Sequence, residues 1–313
     1  MAIDNRVTRM LGVDIPIVQA PMGWIARAQL ASAVSNAGAM GIIETSSGQL
    51  DAIRGEIALM HERTEKPWGV NIAQLFVRDP GEVVEFVAEQ GVRFVTTSAG
   101  DPTKLTARLK DLGITVFHVV PSLRAARKAA DAGVDGLVVE GSEGGGFKSA
   151  TGASTMVLLP LIASKIDLPL IAAGGICDGR SMAAAFALGA EGVQMGTIMC
   201  AVTESPVHDN WKRLICDAAE TDTFLLNQQS SPAFRALRTP LSERYNAEGR
   251  ATLAVGRAED MYYGGDLEAM ITLGGQVAGR IESVRPVGEV LAETMREFET
   301  TMAAMGRVVA GQG

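Results

Sequence analysis

The sequence predicts a closed (β/α)8 barrel, a TIM barrel, with a lid segment inserted after its last strand, and three observations carry the prediction. Short β-branched runs alternate with amphipathic segments over the first two thirds of the chain, the rhythm of a parallel sheet with helical crossovers. Most of those runs follow either a glycine that can end a helix or a proline at a strand entrance. The composition, 47% hydrophobic but only 5% aromatic, suits parallel strands buried on both faces.

Taken in order, the strands are expected near residues 16–19, 41–44, 68–72, 94–97, 115–119, 136–140, 169–172 and 192–195. Pro16, Pro67 and Pro169 open three of them, where no ladder N–H is needed. Gly38, Gly91, Gly113, Gly133 and Gly189 precede five others as helix C-caps. The spacing of about 21 to 33 residues leaves room for one helix and two loops. Eight parallel strands favour closure, which leaves no edge to protect; an open doubly wound sheet is the alternative. Beyond the eighth strand the rhythm breaks. Residues 204–280 hold a helical pattern (Trp211, Leu214, Ile215, Ala218) and then Pro- and charge-rich stretches such as Arg238-Thr239-Pro240, without a further strand of the same kind. Val287, Leu291, Met295, Phe298, Met302 and Met305 then mark one face of a final helix. Residues 1–203 and 281–313 are therefore read as the barrel and 204–280 as an insertion covering its C-terminal face, where barrel active sites are built.

Composition narrows the function classes. A formal charge of −8 without clustered Lys or Arg argues against nucleic acid. Cys177, Cys200 and Cys216 have no metal-like or disulfide spacing, which suits a reducing cytoplasm and no metal. No apolar run reaches the ~18 residues of a membrane span. The expected partners are a small-molecule substrate and a co-substrate, and a homodimer is compatible with the sequence.

The groups that matter in a barrel lie just past each strand's C-terminal end. Ala173-Gly174-Gly175-Ile176 follows the seventh strand, and Gln194-Met195-Gly196-Thr197 ends the eighth. Either stretch alone could be a turn. Together they form the usual barrel phosphate corner, where glycine lets backbone N–H groups approach an anion and a hydroxyl adds a donor. The run from Glu140 through Gly141, Ser142, Glu143, Gly144, Gly145 and Gly146 to Phe147 is either a flexible loop or backbone laid against a flat ligand. Gln19-Ala20-Pro21-Met22-Gly23-Trp24, after the first strand, is either a turn or a source of main-chain contacts to a ligand at the barrel mouth.

Those stretches, with Gly69-Val70-Asn71, Asp178-Gly179-Arg180, Ala187-Leu188-Gly189-Ala190 and Gly274-Gly275-Gln276-Val277-Ala278-Gly279, together resemble the nitronate monooxygenase (2-nitropropane dioxygenase) family. Its relatives include flavin-dependent enoyl-ACP reductases and NADH:quinone reductases. The resemblance runs in order over nearly the whole chain. It implies non-covalent FMN with its phosphate on Gly174, Gly175, Gly196 and Thr197, and a cofactor lining of Ala20, Pro21, Met22, Gly23, Asn71, Glu140, Gly144, Gly145, Ala173, Gln194 and Met195. Trp24, Phe147 and Gln276 would face the substrate.

One departure limits the transfer of function. Members that oxidise nitroalkanes typically carry a histidine directly after the glycine run, where this chain has Phe147 and then Lys148. Phenylalanine cannot accept a proton. A nitronate is already deprotonated, so the resemblance implies first the oxidation of alkyl nitronates with O2. The alternative is NAD(P)H-dependent reduction of an activated C=C bond, as in an enoyl thioester, or of a quinone. A phosphate-ligand binder without chemistry is a third reading. His118, at the end of the fifth strand, is the remaining acid/base candidate, with Lys148 as a substitute; a neutral, hydrogen-bonded wall residue is the alternative role for His118.

Overall fold

The computed structural model describes residues 3–77, 79–230 and 232–309; the outermost residues of the two barrel segments lie outside these. The barrel strands are β1 (Ile17–Gln19), β2 (Gly41–Ile43), β3 (Trp68–Ala73), β4 (Phe94–Ser98), β5 (Thr115–Val120), β6 (Gly136–Glu140), β8 (Leu170–Ala173) and β9 (Gly192–Met195), after a short β7 (Gly146–Lys148) that belongs elsewhere. All eight pair in parallel, in the order β1-β9-β8-β6-β5-β4-β3-β2. The seam between β1 and β2 is closed by Gln19 N–H to the Met40 carbonyl and Met40 N–H to the Ile17 carbonyl, each 2.9 Å. The buried Gln19 side chain extends this ladder by accepting Ile42 N–H at 3.2 Å. The chain is a (β/α)8 TIM barrel. The five glycines predicted to end helices all have positive φ, the left-handed geometry that a Cβ penalises.

Large and small residues interlock inside the barrel. Phe94 and Phe117 meet edge to face at 5.5 Å, and Gly69 and Gly136 on the neighbouring strands make room for them. A Cβ at Gly136 would lie 2.3 Å from the Phe117 ring, and one at Gly69 2.7 Å from the Phe94 carbonyl. Val7 and Leu11 of α1 (Arg6–Leu11) join the same interior cluster. The base of the barrel is thus filled by side chains, and among the described residues the large cavity lies at the other end.

The outer helices are α2 (Ala28–Asn36), α3 (Leu50–Arg63), α4 (Pro80–Glu89), α5 (Thr106–Asp111), α6 (Leu123–Asp131), α7 (Thr155–Ala163), α8 (Gly179–Ala187) and, after the eighth barrel strand, the single turn α9 (Thr197–Cys200) and the final α13 (Val287–Val309). α13 packs on α8 so closely that a Cβ at Gly179 would fall 2.2 Å from the Phe298 amide nitrogen. Between α9 and α13 lie α10 (Asp209–Cys216), β10 (Thr223–Leu226), β11 (Ala233–Leu237), α11 (Pro240–Glu248) and α12 (Ala258–Tyr262).

The segment after the eighth barrel strand is not free of strands. β11 pairs antiparallel with β10 and with β7, opposing Phe234 to Phe147 and Arg235 to Gly146. The glycine run therefore ends in a strand stitched to residues about ninety positions later, a pairing that no local pattern announces. No described helix is long and apolar enough to cross a membrane.

Candidate functional site

The C-terminal ends of the strands surround a cavity of about 730 Å3, within the usual range for cofactor and small-molecule sites. Pro232, Leu253, Tyr262, Met270, Leu273, Gly274, Gly275 and Val277 cover it from the segment between α9 and α13.

One corner is built almost wholly from backbone. Gly174 and Gly175 have φ of +89° and +80°, and a Cβ at Gly174 would lie 2.9 Å from the Gly141 carbonyl. Gly275 N–H donates to Thr197 Oγ1 at 2.9 Å, which occupies an acceptor site of that hydroxyl and leaves its proton for a ligand. Beside it, the buried Gln194 Oε1 has no partner. Asn71, which also lines the cavity, is oriented by its neighbours: its amide donates to Thr96 Oγ1 at 2.9 Å and accepts from Ser98 at 3.2 Å.

The glycine loop is pinned at several points. Arg235 Nε donates to the Ser142 carbonyl at 2.7 Å, and the Glu143 carboxylate accepts Thr155 N–H at 2.9 Å. Gly145 lies against Gly274, where a Cβ would come within 2.7 Å of backbone. This loop is ordered backbone, not a loose surface excursion. Phe147, at its end, packs on Phe76 at 5.0 Å and Phe234 at 5.2 Å. Lys148, one residue on, forms an ion pair with Glu140 at 2.6 Å, its side chain only 4% exposed.

The rim over β1 and β2 rests on a buried carboxylate. Glu44, fully buried, pairs with Arg27 at 3.1 Å and accepts Trp24 N–H at 3.2 Å and Ser47 N–H at 2.7 Å. It thereby holds Trp24 at φ +69°, costly for a bulky residue. Tyr263, just past α12, donates its hydroxyl to the Trp24 carbonyl at 2.5 Å.

His118 lines the cavity but is not placed as a strong base. Its neighbours Phe117 and Val119 turn to the barrel interior, and its Nδ1 lies 2.7 Å from Thr97 Oγ1. Burial lowers its pKa to about 4, so the ring is neutral at pH 7 and has little basicity to offer. The folded pKa lies below the unfolded value of about 6.5, so the unfolded chain binds more protons between the two. Stability is expected to be full above pH ~6.5 and to fall as pH drops towards 4, by an order of magnitude of a few kcal/mol from this group. His118→Gln should flatten that part of the urea-stability profile; an unchanged slope would refute the assignment.

The structure brings together Ala20, Pro21, Met22, Gly23, Trp24, Asn71, His118, Glu140, Gly144, Gly145, Phe147, Lys148, Ala173, Gly174, Gly175, Gln194, Gly196 and Thr197 around this cavity. It does not bring Met195 or Gln276. Met195 follows Gln194 on the strand, so it points outward into the helix layer and is fully buried there. Gln276 opens a 3-10 turn and faces solvent, while Val277 turns inward. Sequence reading missed Phe76, Glu44, Arg235 and Tyr263. Phe76 and Glu44 follow β3 and β2 at the same strand-end positions searched elsewhere, whereas Arg235 and Tyr263 lie in a segment without periodic register. Among the described residues no group of three or more His, Cys, Asp or Glu could hold a metal ion.

A family model described as nitronate monooxygenase matches residues 4–78 and 74–297. Among curated proteins, the chain is 37% identical over 254 residues to a (3aS,4S,5R,7aS)-5-hydroxy-7a-methyl-1-oxo-octahydro-1H-indene-4-carboxyl-CoA dehydrogenase of Mycobacterium tuberculosis, covering 80% of this chain and 71% of that protein. It is 30% identical over 353 residues to a nitronate monooxygenase of Paraburkholderia phytofirmans, covering 94% of each. Among solved structures, FabK from Thermotoga maritima superposes with a TM-score of 0.90 at 37% identity, covering 97% of this chain and 98% of that one. A nitroalkane oxidase from Streptomyces ansochromogenes gives 0.84 at 25% identity, covering 95% and 99%.

Proposed function

The chain belongs to the nitronate monooxygenase family and is an oxidoreductase, and from that premise we propose an FMN-dependent enzyme that reduces a C=C bond conjugated to a thioester, using NAD(P)H. The cavity fits the cofactor on its own chemistry. At its glycine corner the Gly174 backbone lies so close to the Gly141–Gly144 loop that a Cβ would strike the Gly141 carbonyl, the hydroxyl donor Thr197 has a proton to give, and Gln194 Oε1 is a buried acceptor awaiting a donor such as a ring N–H. Gly174, Gly175, Gly196 and Thr197 would hold the phosphomonoester, and Ala20, Met22, Asn71, Gly144, Gly145 and Gln194 the rest. Bound there, FMN would supply two-electron transfer between a nicotinamide and an unsaturated acyl group.

The observation that carries the substrate reading is the charge inventory of the cavity. Lys148 is the one Lys or Arg among the described residues lining it, and Glu140 neutralises it. A small anion such as an alkyl nitronate finds no unpaired cation; a neutral, apolar acyl group finds Phe76, Phe147, Leu253 and Leu273. Phe147 and its aromatic partners give that wall an apolar surface, and the neutral His118 adds no charge. The similarity to the indene-carboxyl-CoA dehydrogenase supports a thioester over a quinone. Oxidation of alkyl nitronates with O2 is the second reading, favoured by the family match and by the fact that a nitronate needs no base.

Anaerobic mixing separates the two. NADH or NADPH should bleach the flavin, and an α,β-unsaturated acyl-CoA should restore its colour without O2. A flavin that stays yellow with both nucleotides, in a protein that releases nitrite rapidly from a nitronate in air, would overturn the reductase reading.

A further inference from the structure

Lys148 is an unusual presence in this cavity. β7 alternates, so Phe147 joins the aromatic cluster while Lys148 turns to the opposite face, toward Glu140 at the end of β6. Lys148 Nζ donates to Glu140 Oε1 at 2.6 Å and to the Phe147 carbonyl at 3.1 Å, two of the three N–H groups it carries. Gly144 lies against it: a Cβ there would come within 3.2 Å of Lys148 Cε and 3.3 Å of Nζ and Glu140 Oε1. Both charged ends therefore lie beside the backbone that walls the cavity, the Lys148 side chain 4% and the Glu140 side chain 26% exposed, so that water screens them only in part. At such a site a unit charge acts at several times its strength in bulk water.

An ion pair is a dipole, and next to a ligand whose charge changes, its two ends act with opposite sign. We propose that Lys148 and Glu140 act on the bound flavin as a balanced pair of opposite charges, the ammonium favouring and the carboxylate opposing the negative charge of the reduced ring, so that its reduction potential depends on both being present. The proposal rests on the FMN reading above. The step is the uptake of two electrons and one proton by FMN to give FMNH−, the electrons coming from NAD(P)H in turnover and from dithionite in the assay below. With both ends present their effects largely cancel. Removing either end exposes the other.

The test is the midpoint potential of FMN bound to the full-length protein, measured by anaerobic dithionite titration with a reference dye. Lys148→Met should lower it and Glu140→Gln should raise it, each by at least a tenfold change in the relative affinity for reduced and oxidised FMN, about 30 mV for a two-electron couple. Lys148→Arg should stay near wild type, and the Lys148→Met/Glu140→Gln double variant should return toward it. A merely structural pair would not produce opposite signs. Potentials unmoved in both single variants, or moved in the same direction, would overturn the proposal. So would a single variant that takes up no FMN where the wild type does, because the pair would then be part of the binding framework. Wild-type protein that takes up no FMN would instead sink the cofactor reading, and the proposal with it, a result distinct from bound flavin with unmoved potentials.

Discussion

Gly175→Val protein is expected to emerge colourless, with FMN affinity reduced at least about a hundredfold, roughly 3 kcal/mol. Gly175 has φ +80°, a region closed to β-branched residues, and the glycine pair Gly174-Gly175 would let backbone face the proposed phosphate. The site separates binding from folding. A Cβ at Gly175 would meet only Glu143, at 3.7 Å, an ordinary contact, whereas one at Gly174 would strike the Gly141 carbonyl. Gly175→Val should thus keep its far-ultraviolet circular dichroism while losing flavin. Flavin fluorescence quenching against added FMN measures the affinity, and a variant that binds as tightly as wild type would show that the phosphate is held elsewhere.

The largest expected loss of stability follows from Glu44→Ala, about 3–5 kcal/mol by urea denaturation. Arg27 and Glu44 are both buried, with side chains 7% and 0% exposed, so removal of the carboxylate strands a guanidinium away from water. Arg27 Nε already lacks a partner, and the same truncation frees the amides of Trp24 and Ser47. Glu44→Gln retains an acceptor and should cost less. A Glu44→Ala midpoint indistinguishable from wild type would mean that water already reaches this pair.

The barrel was legible because its signals are local. Proline at strand entrances and glycine at helix ends marked where each strand begins, and all eight lie within a residue or two of their expected places. The glycine-lined corner of the cavity was legible for the same reason, since Gly174-Gly175 and Gly196 stand just past two particular strands. The second sheet was not, because its evidence is a pairing between distant segments. Arg235 interrupts the apolar run of β11 and reads as solvent-facing, yet it is buried because the Ser142 carbonyl and Thr223 Oγ1 satisfy its guanidinium. Met195 was within reach: two-residue alternation from Gln194 already turns it away from the axis. Gln276 was read together with its glycine-rich surroundings, and a single turn decides which of two neighbours faces inward.

The ladder joining β7 to β11 has a mechanical meaning. A cover sewn by main-chain hydrogen bonds to the same loop that walls the cavity does not swing on a hinge as a free flap would; raising it would unpick the wall beneath. Traffic into the chamber would then use a fixed opening. Discrimination among substrates would come from the shape of that opening rather than from a closing motion, so turnover of slim and bulky acyl groups should differ chiefly in rate of entry.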